Sequence, residues 1–202
     1  MKRIIASLPR SGSTYLLRSV YGLEAGDFTP EELSDVKFHY PLQAFWEQYL
    51  YNDCRIVFLF RDVYHVVYST YLHRMNSRHF NNCNMQDNIC DVFKSYWKPK
   101  RVKWWIKELK FEYEKVFEED VLNYELIFDF WMKLPGVMCI RYDALPLYKH
   151  EIELFFMQKV DWLEWQPHEY VIDADIRKQI SGTYKSLIHK VGIAEKYKIN
   201  EG

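Results

Sequence analysis

The chain has almost no net charge, no closely paired cysteines and no long apolar run, and each absence removes a class of function. With a formal charge of −1 over 202 residues, it lacks the broad basic surface by which nucleic-acid binders hold a phosphate backbone. Any affinity for anions must be local. Its four cysteines, Cys54, Cys83, Cys90 and Cys139, show none of the short spacings of a metal site and read as reduced thiols. His79 with Cys83 and Cys90 reads as ordinary loop composition, so no metal is expected. Met1, Lys2 and Arg3 lead into a short apolar stretch that merges with a loop. That start reads as neither a secretory signal nor a membrane span, so the expected location is cytoplasmic, away from the membrane. Internal repeats and low-complexity segments are absent too.

The length fits a single domain spanning 1–202, large enough for a real core. Aromatic residues make up 18% of it, enough to fill that core and leave rings to line a pocket. The most telling stretch is at the beginning, where an apolar strand candidate, Arg3 to Leu8, runs into Pro9, Arg10, Ser11, Gly12, Ser13 and Thr14 and then a helical pattern to about Tyr21. A strand, a small-residue loop and a helix aim backbone N–H groups and the positive helix end at one point, which suits an anion. Gly12 lets the backbone come close, the hydroxyls of Ser13 and Thr14 add donors, and Arg10 adds a planar positive charge. A nucleoside-triphosphatase loop carries Lys directly after its last Gly. This chain has Ser13 there, so the loop favours a phosphate ligand over ordinary ATP chemistry.

Further along, Gly22 to Pro30 is rich in turn residues and leads to a short motif at Lys37 to Pro41. Arg55 to Phe60 has the composition of a buried parallel strand. A helix follows, with Asp62 as its N-cap and Val66, Val67 and Tyr71 among its apolar positions. After the polar stretch His79 to Asn88, helical patterns cover about 89–118, with a break near Pro99, and about 121–133. Gly136 to Tyr142 reads as a third strand and Leu147 to Lys159 as a helix. The last thirty residues, with Gly182 and Gly192, read as a loop and a short helix. The alternation predicts an α/β fold of three layers, a central parallel sheet flanked by helices, with ligands bound beyond the C-terminal ends of its strands. The Pro9 loop and Arg61 both fall at such ends.

Four separate places resemble one family, the sulfotransferases that use 3′-phosphoadenosine 5′-phosphosulfate (PAPS). LPRSGSTYLL is similar to that family's 5′-phosphosulfate loop. IVFLFRDVYHVVYS resembles its 3′-phosphate motif, a strand-ending Arg followed eight residues later by Ser, here Arg61 and Ser69. KFHYP resembles its Lys-x-His-x-Pro element, and RKQISGTYK its C-terminal Arg-Lys-Gly-x-x-Gly-x-x-Lys element. The chain departs from the pattern at Arg10, where many members have Lys, at Val63 and His65, and at Gln179, which replaces a Gly.

The resemblance implies a metal-independent, P-loop-like enzyme that moves a sulfuryl group from PAPS to a hydroxyl and releases adenosine 3′,5′-bisphosphate (PAP). Arg61 and Ser69, with Arg177 and Lys178, would hold the 3′-phosphate. Ser13, Thr14 and the N–H groups of Ser11 to Thr14 would hold the 5′-phosphate. Arg10 would stabilise charge on the bridging oxygen. Tyr15 stands where relatives often place a Trp against the adenine and Tyr142, in RYDAL, resembles the Tyr of the family's Tyr-Glu-Asp element, with aromatic packing in the core the equal alternative for both. His39 is the candidate general base, with Lys37 assisting at the sulfuryl group or orienting the base. His65 and His73 share the helix face of Ser69 and read as supporting or surface residues.

The acceptor is a small molecule or a glycan; Trp97 to Lys110, rich in Trp and Lys, could face an anionic one or form an amphipathic helix. A homo-oligomer stays open. Two other readings compete: a P-loop small-molecule kinase, which the missing Lys opposes, and a PAP- or PAPS-binding protein without catalysis.

Overall fold

The structure is a computed structural model that describes residues 1–22, 36–39, 54–73, 113–120 and 122–201. The stretches His79 to Asn88 and Trp97 to Lys110, Cys83, Cys90, Pro41 and most of the helical pattern at 89–118 lie outside them.

Among the described residues the chain runs β1 (Lys2–Ser7), α1 (Ser13–Tyr21), β2 (Lys37–Phe38), β3 (Cys54–Phe60), α2 (Val63–Leu72), a 3₁₀ turn (Tyr113–Phe117) and α3 (Tyr124–Lys133). It continues with β4 (Met138–Arg141), a second 3₁₀ segment (Tyr142–Tyr148), α4 (Lys149–Phe156), α5 (Ala174–Thr183), α6 (Lys185–Ile193) and β5 (Tyr197–Ile199). The five strands form one sheet in the order β2-β1-β3-β4-β5. β1 and β3 pair in parallel along their length, from Lys2 with Cys54 to Ser7 with Leu59. β2 pairs in parallel through Lys37 and Phe38 only, β4 follows β3 in parallel, and β5 runs antiparallel to β4.

Alternation along the strands sorts their side chains into two cores. Ile5, Val57, Leu59, Met138 and Ile140 face Leu16, Leu17 and Val20 of α1 and Ile152 and Phe156 of α4. Ile4, Ala6, Ile56, Phe58, Phe60 and Cys139 face the other way. There Val66 and Val67 of α2, Ile127, Phe128 and Trp131 of α3, Ile180 of α5 and Leu187 of α6 cover them. Both faces of the sheet are thus shielded, which is why β1 and β3 read as continuous apolar runs.

Asp62 caps α2 as its position suggested, its carboxylate accepting from the His65 N–H at 3.2 Å. The C-terminal third departs from expectation. In place of a loop and one short helix it holds two helices and an edge strand. α5 buries only Ile180 and so shows little periodicity; it starts because the Asp173 side chain accepts from the Asp175 N–H at 2.8 Å. β5 has three residues, too few to register as alternation, and its antiparallel run makes the sheet mixed. Tyr142 leaves the third strand for the 3₁₀ segment. No helix among the described residues is long and apolar enough to cross a membrane.

Candidate functional site

The strand order reverses at β1, with β2 on one side and β3 on the other. In such sheets a crevice opens at this point, beyond the C-terminal ends of the strands. Here it is a cleft of about 410 Å³ lined by Arg10, Gly12, Ser13, Thr14, Lys37, His39, Arg61, Ser69, His73, Tyr142, His168 and Tyr170. None of these described lining residues is Asp or Glu, and three are permanent cations.

The floor of the cleft is the loop from β1 to α1. The Ser11 N–H turns back to the Leu8 carbonyl at 3.2 Å, so that donor serves the turn, and the buried Ser11 hydroxyl does not line the cleft. Arg10 (φ 65°) and Gly12 (φ 78°) take the left-handed conformation. At Gly12 a second constraint applies, because a Cβ there would lie 1.9 Å from the ring of Tyr142. Glycine therefore satisfies both the backbone twist and the close approach of that ring. Gly12 is also the N-cap of α1 and offers no side-chain acceptor, which leaves the positive helix end facing the cleft beside the Ser13 and Thr14 hydroxyls.

β2 brings the proton-acceptor candidate to one wall. The His39 Nδ1 lies 3.0 Å from the Ser7 carbonyl and 3.1 Å from the Ser7 hydroxyl. A carbonyl can only accept, so the neutral ring carries its proton on Nδ1 and its basic lone pair on Nε2. Two backbone contacts hold this edge: the Ile5 N–H donates to the Val36 carbonyl at 2.9 Å, and the buried Trp131 indole donates to the His39 carbonyl at 3.1 Å. Lys37 donates from Nζ to the Thr14 hydroxyl at 3.0 Å, tying this wall to the floor.

The opposite wall belongs to β3 and α2. The guanidinium of Arg61 stands 4.9 Å from the centroid of the Tyr142 ring and donates to the His168 carbonyl. Burial raises the Tyr142 hydroxyl above the ordinary tyrosine range, against the pull of Arg61, so it stays protonated at neutral pH. Ser69, on α2, accepts from Arg10 Nε at 3.1 Å. The two side chains assigned by resemblance to opposite ends of PAPS are thus in direct contact.

Sequence reasoning missed the roof. Residues 159–173 have neither helix nor strand, yet they are anchored along their length. The Glu153 carboxylate accepts from the Val160 N–H at 3.1 Å and from the Trp162 indole at 3.0 Å. The Tyr15 hydroxyl donates to the Leu163 carbonyl at 2.9 Å, which keeps Tyr15 out of the cleft lining. Trp165 packs edge-on to Tyr15, 5.0 Å between centroids, and against Tyr142 at 4.5 Å. Beyond Pro167, His168 and Tyr170 reach the cleft. The Tyr170 hydroxyl lies 3.0 Å from Ser69 Oγ and 3.2 Å from His73 Nε2. Partial burial lowers the His73 pKa below the usual imidazole value, and Arg10 and His168 lower it further. The one local signal for this strap was the cluster of Trp, Pro, His and Tyr at 165–170.

Of the residues picked out in the sequence, Arg10, Gly12, Ser13, Thr14, Lys37, His39, Arg61, Ser69 and Tyr142 meet in the cleft. Arg177 and Lys178 lie on α5 outside its lining, with the Arg177 guanidinium 4.3 Å from the centroid of the Tyr64 ring. His65 pairs with Asp62 at 3.1 Å.

No family model matches the chain, and no curated protein matches it in sequence. Among solved structures it is similar to the mouse sulfotransferase SULT7A1 complexed with PAP, at 15% identity and a TM-score of 0.42. That alignment covers 92% of this chain and 66% of the mouse chain.

Proposed function

We propose that the protein transfers a sulfuryl group from PAPS to a hydroxyl acceptor. The observation that carries this reading is the convergence, in a cleft whose described lining has no carboxylate, of Arg10, Ser13, Thr14, Lys37, His39, Arg61 and Ser69 from three separate motifs. Such a cleft suits a ligand with more than one anionic group, and the N-terminal end of α1, without a side-chain cap hydrogen bond, suits a phosphate held by backbone.

In this reading Arg61 and Ser69 hold the 3′-phosphate, while Ser13, Thr14 and the N-terminal end of α1 hold the 5′-phosphate. As the acceptor oxygen bonds to sulfur, the bond from sulfur to the bridging oxygen breaks and negative charge collects on PAP. Arg10 and Lys37 stabilise that charge. His39 takes the acceptor proton at Nε2, its Nδ1–H being held by Ser7. The Tyr142 ring supports Arg61 from below and closes the floor at Gly12. Arg177 and Lys178 are outer contacts for the 3′-phosphate, Arg177 resting on Tyr64, three residues past Arg61. The acceptor is a small molecule or a glycan.

The test is calorimetry titrating PAP and ATP separately without added metal, and ATP again with Mg²⁺, followed by transfer assays from PAPS to a panel of hydroxyl acceptors. Metal-independent binding of PAP in preference to ATP, together with transfer, is expected. A preference for Mg·ATP would replace the reading with phosphoryl transfer. Binding of PAP without transfer to any acceptor would leave a nucleotide-binding protein.

A further inference from the structure

We infer that His73 and Tyr170 form a proton-coupled relay onto Ser69, so that the cleft takes up a proton when it binds a phosphate at that end. This rests on the reading of the cleft as a nucleotide-phosphate site, and it concerns two residues left outside the binding site in the sequence analysis.

Arg10, Ser69, Tyr170 and His73 form one hydrogen-bonded chain, with successive separations of 3.1, 3.0 and 3.2 Å. Its first link has a fixed direction, because a guanidinium only donates. The other two links can run either way, and His73 decides which. When Nε2 carries a lone pair, Tyr170 donates to it and Ser69 donates to Tyr170. The single Ser69 proton is then committed to the strap. When the ring is protonated, Nε2 donates to Tyr170, Tyr170 donates to Ser69, and the Ser69 hydrogen is released toward the cleft; the neutral ring with its one proton on Nε2 gives the same direction without uptake, so the proton count on binding tells the two apart. An incoming phosphate oxygen needs that second arrangement, since a hydroxyl whose one proton is engaged elsewhere presents only lone pairs to an anion.

The groups around His73 make the switch responsive. Arg10 faces it from the β1–α1 loop and His168 from the strap; both favour the neutral ring while no anion is present. Tyr170 lies between His73 and Ser69, with the ring of His65 6.1 Å from its own and His65 itself paired with Asp62. A phosphate arriving beside Arg61 offsets the positive charge of Arg10, so the protonated ring becomes favourable and one proton enters from solvent onto Nε2. His73 and Tyr170 thereby act as positioning residues, setting the donor state of Ser69.

The experiment is calorimetric titration of PAP into the whole protein near neutral pH, in two buffers of different ionisation enthalpy, which counts protons exchanged on binding. It compares wild type with His73→Gln, Tyr170→Phe and His168→Gln. Ligand phosphates also exchange protons near pH 6, so the difference between proteins is what counts. Wild type is expected to take up a larger fraction of a proton than either His73→Gln or Tyr170→Phe, and its PAP affinity to fall more steeply than that of either between about pH 6 and about pH 8, since a site that takes up a proton with its ligand binds less well as protons become scarce. His168→Gln is expected to keep the excess uptake. Equal uptake in wild type and His73→Gln overturns the coupling even if PAP binds well. Loss of the excess in His73→Gln but not in Tyr170→Phe overturns the relay, as does loss confined to His168→Gln. Failure of wild type to bind PAP at either pH overturns the nucleotide reading itself, and this inference with it. His73 is exposed and Tyr170 half-buried, so neither substitution removes core packing.

Discussion

Ser7 ends β1 and His39 follows the neighbouring parallel strand β2 by one residue, and the imidazole is held through Nδ1 by the serine carbonyl at 3.0 Å, which places the basic lone pair on Nε2. General acid–base groups commonly contribute about 10²- to 10⁴-fold to rate. His39→Ala is expected to lower kcat by that order and to leave PAP affinity unchanged. Single-turnover transfer assays beside calorimetry check this; normal turnover in the variant would remove His39 as the base.

Arg61 is the cation at the C-terminal end of β3, supported by the Tyr142 ring. Hydrogen bonds to charged groups contribute about 1.5–3 kcal/mol, which corresponds to roughly ten- to hundredfold in affinity. Arg61→Ala is expected to weaken PAP by that factor and adenosine 5′-phosphate far less. Equal weakening of both ligands would move Arg61 away from the 3′-phosphate.

Gly12 tolerates no side chain on two grounds, its φ of 78° and the Tyr142 ring where a Cβ would stand. Forcing an L-residue into a sparsely populated conformation costs about 1–3 kcal/mol. Gly12→Ala is expected to lower stability by at least that much and to abolish nucleotide binding. Adding Tyr142→Ala relieves only the steric part, so chemical denaturation of the double variant is expected to show partial, non-additive recovery.

The Trp131 indole donates to the His39 carbonyl from a buried position. Trp131→Phe keeps an aromatic ring but leaves that carbonyl without its donor, at a cost of about 1–3 kcal/mol. The expected signature is a fall in kcat with PAP affinity retained, because the change reaches β2 and not the wall built on Arg61 and Ser69.

Burial raises the Cys139 thiol to about 12, with Lys198 and Asn200 pulling the other way. The reactive thiolate is therefore scarce at neutral pH, and the sulfur is enclosed. Alkylation followed by peptide mapping is expected to spare Cys139 in the folded protein and to label it on unfolding, whereas the half-buried Cys54 reacts earlier.

The part of the cleft built on Arg61, Asp62 and Gly12 was legible because its groups sit at punctuation points. Arg61 ends an apolar run, Asp62 caps the helix that follows, and Gly12 breaks the strand–helix junction. Ser69 was singled out by the resemblance alone, as the Ser eight residues after Arg61. The roof was not legible. Tyr170 meets Ser69 across 101 positions from a segment with no period to read. His73 looked like a surface residue because its partner belongs to that segment. Trp131 and His39 are joined in the same non-local way. α5 and β5 were missed because their stability comes from a cap and from an edge pairing, neither of which leaves an apolar rhythm.

Among the described residues, strand β2 is two residues long and lies at the margin of the sheet, whereas β1 and β3 are matched through six residue pairs. The two halves of the cleft therefore hang on unequal anchors. A molecule whose β2 edge has peeled away loses the orientation of His39 but keeps Arg10, Arg61 and Ser69, so it would still capture PAP. Thermal-shift screening with a product nucleotide would thus count chemically silent molecules together with competent ones. Only a measurement that reads acceptor turnover separates the two populations in a purified sample.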